Sequence, residues 1–302
     1  MKKESEETKV KMVRLSGDDL PLVEVEFQLE SGNKKGLMVI DSGCVQSIVF
    51  NDVTKDMSNE CMRENICINV TGVGDSSKNR NGVEVRFSLG GKVFHEVMVA
   101  ESQDFLGIVD DMPILGILGN VFLMKHGLAI DFTDYTLHTS EVDHSNFCVA
   151  DSSFFFTMET IQHYGVPVVA MVNNENEECV TLVDTGATIN AVITRGAMER
   201  LGINYEMTDK EIELDNLGNT EKAPLAVCEF DIANWRGENG IEHVKYKAEC
   251  AISSRKFLLS NNVWSNDEGS DFSDIEALIG CPTLSKFGWV LDFGAMIIYK
   301  RK

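Results

Sequence analysis

One block of residues occurs twice in this chain, and that duplication constrains the fold more than composition can. The first copy is Gly36-Leu37-Met38-Val39-Ile40-Asp41-Ser42-Gly43-Cys44. The second is Cys179-Val180-Thr181-Leu182-Val183-Asp184-Thr185-Gly186-Ala187, and each is an apolar run ending in Asp-(Ser/Thr)-Gly. Downstream lies a second matched block. It reads Ile117-Leu118-Gly119-Asn120 then Gly127-Leu128-Ala129-Ile130-Asp131-Phe132 in the first half, and Leu278-Ile279-Gly280-Cys281 then Gly288-Trp289-Val290-Leu291-Asp292-Phe293 in the second. A third match precedes each aspartate, where Pro21-Leu22-Val23-Glu24-Val25 parallels Pro167-Val168-Val169-Ala170-Met171. A lone Asp-(Ser/Thr)-Gly arises by chance in roughly one chain of several. Two of them in the same flanking frame indicate a duplicated unit.

Between these landmarks the residues favour strands. Val83 to Leu89 alternates, turns at Gly90-Gly91 and resumes from Val93 to Val99, which predicts a hairpin. In the second half, Leu225 to Ile232 and Val244 to Ile252 predict another, with a longer polar connection from Asn234 to Gly240. Short helices are expected at Arg195 to Leu201, ended by Gly202, and at Thr283 to Phe287, ended by Gly288. The result is a mainly β chain of two related lobes, 16–145 and 146–302. Their boundary falls in the polar stretch around His138 to Asp151, and Phe154-Phe155-Phe156-Thr157-Met158 is expected to open the second lobe as a buried strand. The charged residues 1–15 are expected as a disordered tail.

Composition narrows the function. A formal charge of −21 leaves no basic face for a phosphate backbone, so nucleic acid is not an expected partner. The eight cysteines form no CxxC pair and the six histidines no HExxH, so neither metal nor cofactor is expected. Acidic clusters at Glu175 to Glu178 and Asp267 to Asp271 lack the alternating ligand order of a calcium loop and read as solvated loops. No apolar run is long enough to span a membrane, and the charged start lacks the apolar segment of a secretory signal. The expectation is a cytoplasmic protein with reduced thiols, exported only if a leader has been removed.

Two carboxylates sharing one proton around a water can hydrolyse a peptide bond without a metal or a nucleophilic side chain. One deprotonates the water while the other polarises the scissile carbonyl. An apolar strand delivering each aspartate to a turn suits that chemistry, because burial fixes the carboxylate and Gly43 or Gly186 permits close backbone approach. On these residues the chain resembles the retropepsin and pepsin superfamily of aspartic proteases, in a fused form with two retropepsin-like β-barrel lobes related by a pseudo-two-fold axis. Asp184-Thr185-Gly186-Ala187-Thr188 fits that family's active-site signature throughout, and Leu278-Ile279-Gly280 resembles the element that packs beneath it. The resemblance covers roughly residues 18–300. It implies Asp41 and Asp184 as the catalytic dyad in a cleft between lobes, and Ser42 and Thr185 as an interlocked hydroxyl pair beneath it. It further implies hairpin flaps over the substrate, with Gly72, Val73 and Gly74 at one tip and Leu217 and Gly218 at the other. The partner would be an extended polypeptide, and the working unit a monomer because both blocks lie in one chain. Cys44 and Val45 depart from the small or hydroxylated residues usual after Asp-Ser-Gly. No flap tyrosine lies near Gly72, which points to retropepsin-like substrate handling.

Plainer readings apply to the other motifs. Asp131 and Asp292 follow apolar strands and precede Phe, as structural strand-end residues do. Cys44 has no histidine placed to activate it and reads as a small core thiol. Gly72 to Lys78 lacks the second glycine and the helix of a phosphate loop, and the sequon Asn69-Val70-Thr71 is without meaning unless the chain is exported. Two functions remain: an endopeptidase, or a peptide-binding module that kept the fold and lost turnover.

Overall fold

The computed structural model describes residues 9–15, 19–57, 62–71, 77–101, 107–143, 147–150, 154–155, 166–172, 177–216, 219–237, 240–254 and 275–301. Among the described residues the chain is mainly β, with its strands in a nine-stranded and a 14-stranded sheet. Each half repeats one arrangement around its aspartate. In the first, Pro21–Leu29 runs antiparallel to Gly32–Ile40, which lies parallel to Met112–Leu118 with Ile40 opposite Leu118. In the second, Pro167–Val172 runs antiparallel to Glu178–Asp184, which lies parallel to Ala277–Gly280 with Asp184 opposite Gly280. The flanking strands correspond as well. Ile48–Val49 is antiparallel to Met112–Leu118 and parallel to Lys92–Ala100, as Ala191–Thr194 is antiparallel to Ala277–Gly280 and parallel to Gly240–Ser253. The parallel strands are covered on both faces, which is why Gly36 to Ile40 is an unbroken buried run where an alternating one would suit a half-exposed strand.

The halves are joined by sheet. Ala129–Asp131 pairs antiparallel with Trp289–Asp292, and Phe132 N donates to Trp289 O while Phe293 N donates to Leu128 O, both at 2.9 Å. One apolar cluster continues through both, from Phe27, Phe87 and Phe122 to Trp289 and Phe293. Asp131 and Asp292 cap the turns that follow these strands: Asp131 Oδ1 accepts from Thr133 N at 2.7 Å and Asp292 Oδ1 from Ala295 N at 2.8 Å. Four residues beyond each aspartate the backbone takes a positive φ at a non-glycine, 54° at Tyr135 and 55° at Met296, so the duplication extends to the turn conformation.

Burial pushes the Asp131 carboxyl up, but His138, at 3.5 Å, and the N–H groups of Asp134 and Thr133 outweigh it and hold the carboxyl below its usual value. A depressed carboxyl contributes stability that is present above its unfolded pKa and lost as pH falls through the folded one. Asp131→Asn should therefore lower stability at neutral pH by about 1–3 kcal/mol. Thermal melts across pH should show the deficit shrinking below roughly pH 4; a deficit constant with pH would mean that the charge on Asp131 is not its source.

Several expectations are met locally. The hairpin at Gly90-Gly91 has φ of 57° and 77° at its two central residues, a type I′ turn closed by Leu89 opposite Lys92. The helix Arg195–Arg200 starts at an N-cap, Thr194, whose Oγ1 accepts from Ala197 N, and Gly202 follows at φ 61°. The helix ending before Gly288 begins at Cys281, two residues earlier than expected.

Two expectations are corrected, and one helix is added. Residues 9–14 are not a disordered tail: Lys9–Lys11 pairs with Thr136–His138 and Val13–Arg14 with Pro21–Leu22. Their charge masks a short alternation in which Lys9 and Lys11 are exposed and Met12 is buried. The connection after Ile232 is not long, because pairing resumes at Asn234 opposite His243 and continues to Gly237 opposite Gly240. Backbone pairing needs no apolar side chain, and apolar alternation is the only signal the sequence offers there. A helix at Asn120–Lys125 goes unannounced, since Val121-Phe122-Leu123-Met124 reads equally well as a buried strand. Phe154–Phe155 forms a strand opposite Val168 and Pro167, whereas Phe156, Thr157 and Met158 lie outside the described residues, as do Glu175, Asn176 and the cluster from Asp267 to Asp271.

Candidate functional site

The two aspartates emerge where the buried parallel strands end. Asp41 N donates to Leu118 O at 3.0 Å, which ties the start of its turn to the neighbouring strand. Each carboxylate then folds back onto its own turn. Asp41 Oδ1 accepts from Gly43 N at 2.8 Å and Cys44 N at 3.0 Å, and Asp184 Oδ1 from Gly186 N at 2.8 Å. The Asx-type turn that makes Asp-(Ser/Thr)-Gly common in proteins is thus present twice.

What distinguishes this pair is that each turn is completed by the other. Ser42 Oγ donates to Val183 O at 2.6 Å and accepts from Thr185 N at 2.9 Å. Thr185 Oγ1 donates to Ile40 O at 2.7 Å and accepts from Ser42 N at 2.9 Å. Both hydroxyl residues are fully buried. Removing either hydroxyl leaves a buried N–H and a buried carbonyl unpaired, which costs more than the net worth of the bonds themselves. Ser42 and Thr185 therefore lock the two halves in register directly beneath the aspartates.

The carboxyls face one another above this lock, close enough for each to act on the other's ionisation. Each also lies against the opposite turn: a Cβ built on Gly43 would fall 2.5 Å from Asp184 Cγ, and one on Gly186 would fall 2.5 Å from Asp41 Oδ2. Burial raises both carboxyls above the usual range. For Asp184 the Asp41 charge adds to burial and takes it well above; for Asp41 the contact with Asp184 and the N–H groups of Gly43 and Cys44 oppose the rise. Two carboxyls so placed do not both ionise readily, and the pair retains one proton. Burial and the two neighbouring carboxylates push the Cys44 thiol well up, which disfavours a thiolate there, and its Sγ donates to Gln46 O at 3.0 Å. Val45 is half-buried and packs on an apolar cluster drawn from the second half, with Ala187, Ile189, Ile212 and Leu214 around the same cluster.

The structure brings together Asp41, Ser42, Gly43, Asp184, Thr185 and Gly186, the residues singled out by the duplicated Asp-(Ser/Thr)-Gly pattern. The flap residues Gly72, Val73, Gly74, Leu217 and Gly218 lie outside the described residues, between the closing pairs Thr71 with Ser77 and Asn216 with Asn219. Supporting residues were missed. Asn120 Nδ2 donates to Ser42 O at 2.6 Å. Asn190 Oδ1 accepts from Tyr246 Oη at 2.8 Å, and Asn190 O accepts from Thr283 Oγ1 at 2.8 Å, bracing the chain that follows Asp184. Only Asn120 carried a signal, as the polar residue directly after Leu118-Gly119. A separate cavity of about 380 Å³ lies among Gln28, Met57, Glu84, Arg86 and His95 and includes no residue of this site. Among the described residues no cluster of His, Cys, Asp or Glu is arranged to hold a metal ion, and no helix is long and apolar enough to cross a membrane.

Comparison with protein-family models and with curated proteins returns no match to this chain.

Proposed function

We propose that this chain is an aspartic endopeptidase of the single-chain, retropepsin-like kind, hydrolysing an extended polypeptide with a water activated between Asp41 and Asp184. The observation that carries the reading is the reciprocal Ser42/Thr185 lock, which sets two carboxyls face to face, each against the opposite turn, at the junction of two duplicated halves. Asp41, in its ionised form, takes a proton from the water as it attacks; Asp184, protonated, donates to the scissile carbonyl oxygen and stabilises the tetrahedral intermediate. As the C–N bond breaks, the proton taken by Asp41 passes to the leaving nitrogen and Asp184 recovers its proton from the hydroxyl of the collapsing intermediate, so the dyad returns to one shared proton. Both carboxyls belong to one chain, so the working unit is a monomer. Five cysteines are free thiols among the described residues, in keeping with a reducing cytoplasm.

The test is cleavage of unfolded polypeptides by the full chain over a wide pH range, with binding measured in parallel. Activity should rise as Asp41 ionises and fall as Asp184 does, so with both carboxyls raised each limb lies above the ordinary carboxyl range. A statine-type peptide, whose hydroxyl mimics the hydrated carbonyl, should inhibit, and chelators should not. Binding without cleavage at every pH would leave a peptide-binding module in place of the enzyme.

A further inference from the structure

The peptide unit joining Ser42 to Gly43 is held at both ends. Its N–H donates to Asp41 Oδ1 at 2.8 Å, and its carbonyl accepts from Asn120 Nδ2 at 2.6 Å. Asn120 is fully buried at the start of its helix, with its own N–H bonded to Cys44 O at 2.8 Å. A chain of donors thus runs from the Asn120 amide through one peptide to the Asp41 carboxylate. Each hydrogen bond in such a chain polarises the next.

The second half is not built this way. The matching residue is Cys281, whose N–H bonds to Ala187 O at 2.9 Å, as Asn120 does to Cys44 O. Its side chain, however, turns to that same Ala187 O, with Sγ at 3.1 Å. A thiol is a weak donor, and Ala187 O does not belong to the peptide whose N–H reaches Asp184, which is that of Gly186. Asn120 is also an awkward residue to bury: its Oδ1 is enclosed and accepts no hydrogen bond among the described residues. An orphaned carbonyl is destabilising, so the Nδ2 contact has to offset it.

We propose that Asn120 is the positioning residue that makes the dyad unequal, orienting and polarising the Ser42–Gly43 peptide so that Asp41 is the ionised member and the shared proton rests on Asp184. This rests on the dyad reading of the two aspartates. The titratable groups that face Asp41 are Asp184 and the Cys44 thiol. Neither is a fixed positive charge, so a difference between the two carboxyls has to come from oriented dipoles; the halves differ in the Cys44 N–H, which reaches Asp41 Oδ1 at 3.0 Å, and in the Asn120 chain, which braces the turn that presents it. The higher placement of Asp184 agrees with it.

The test follows the carboxyl resonances of Asp41 and Asp184 by NMR in the folded, ¹³C-aspartate-labelled chain. Asn120→Cys gives the first half the residue of the second, and Asn120→Leu removes the amide. In either variant the Asp41 midpoint should rise, with its ionisation constant falling roughly three- to tenfold, and the gap to Asp184 should narrow. The acid limb of the cleavage profile should move with it, and kcat should fall more than KM rises. An unmoved Asp41 midpoint in a folded variant overturns the inference. Cys281→Asn decides the matter should both Asn120 variants unfold: it should lower the Asp184 midpoint, and an unmoved Asp184 would overturn the inference equally. The midpoints do not depend on turnover. A shift without any cleavage would therefore uphold the role of Asn120 and remove the protease reading, whereas cleavage without a shift would do the reverse.

Discussion

Asp41→Asn and Asp184→Asn should each reduce peptide cleavage by about 10³- to 10⁴-fold, the range expected when a group that transfers a proton in the transition state is lost. Asparagine is nearly isosteric and keeps the Oδ1 that accepts from Gly43 or Gly186, so the turn and the Ser42/Thr185 lock should survive. Stability supplies the control. A carboxyl whose folded pKa is raised contributes stability that is fully present below its unfolded pKa and is lost as pH rises through the folded one. At neutral pH the buried pair is therefore a burden on the fold, and each asparagine removes it. Both variants should melt no lower than the parent chain at pH 7, and Asp184→Asn, at the more strongly raised position, should show the larger gain. Near-normal activity in either variant, with contaminating proteases excluded, would remove the dyad. Lost activity accompanied by a large fall in melting temperature would trace the loss to the fold and leave the chemistry unsupported.

Such effects could be reasoned from sequence because each turn is encoded locally. The apolar run, the Asx turn and the small residue after it lie within nine consecutive positions from Gly36 to Cys44, and again from Cys179 to Ala187. Duplication then replaced an ambiguous motif with a pair. The helix ends at Gly202 and Gly288 were legible for the same reason, since their physics spans one helical turn. What escaped depends on distant partners. Asn120 and Ser42 are 78 positions apart, and although Asn120 stands out as a polar residue after Leu118-Gly119, its neighbourhood does not say which carbonyl it reaches. Lys9–Lys11 becomes a strand only because Thr136–His138 offers it an edge. Val45 stood out as a departure from pattern. Its half-buried place against apolar residues of the second half gives that departure a packing reason.

The closest approach in the site is also its most exacting demand on residue size, and Gly43→Ala and Gly186→Ala are the variants that test it. Neither glycine has a positive φ, so alanine is not strained by its backbone. The whole effect must come from the added methyl, which at Gly43 would stand 2.5, 2.6 and 2.7 Å from Asp184 Cγ, Oδ2 and Oδ1. Real Cβ atoms essentially never approach other atoms within 3.0 Å, so something must move. The turn at Ser42 is pinned by three cross-half hydrogen bonds, and Asp184 is held by the N–H of Gly186, so the readiest response is for the carboxyls to part. A displacement of about 1 Å at a reacting group costs on the order of 10²-fold in rate, and overpacking of this kind costs about 1–3 kcal/mol in stability. The expected result for either variant is a folded protein of lowered melting temperature. Its activity should fall about 10²-fold or more, and its two carboxyls should titrate closer to one another, because parting them removes the Asp41 charge that raises Asp184 and the Asp184 contact that lowers Asp41. The reciprocal geometry requires both positions to behave alike. If Gly43→Ala left activity within about threefold of the parent and the carboxyl titrations unmoved, the packing of each aspartate against the opposite turn could not be what holds the pair together.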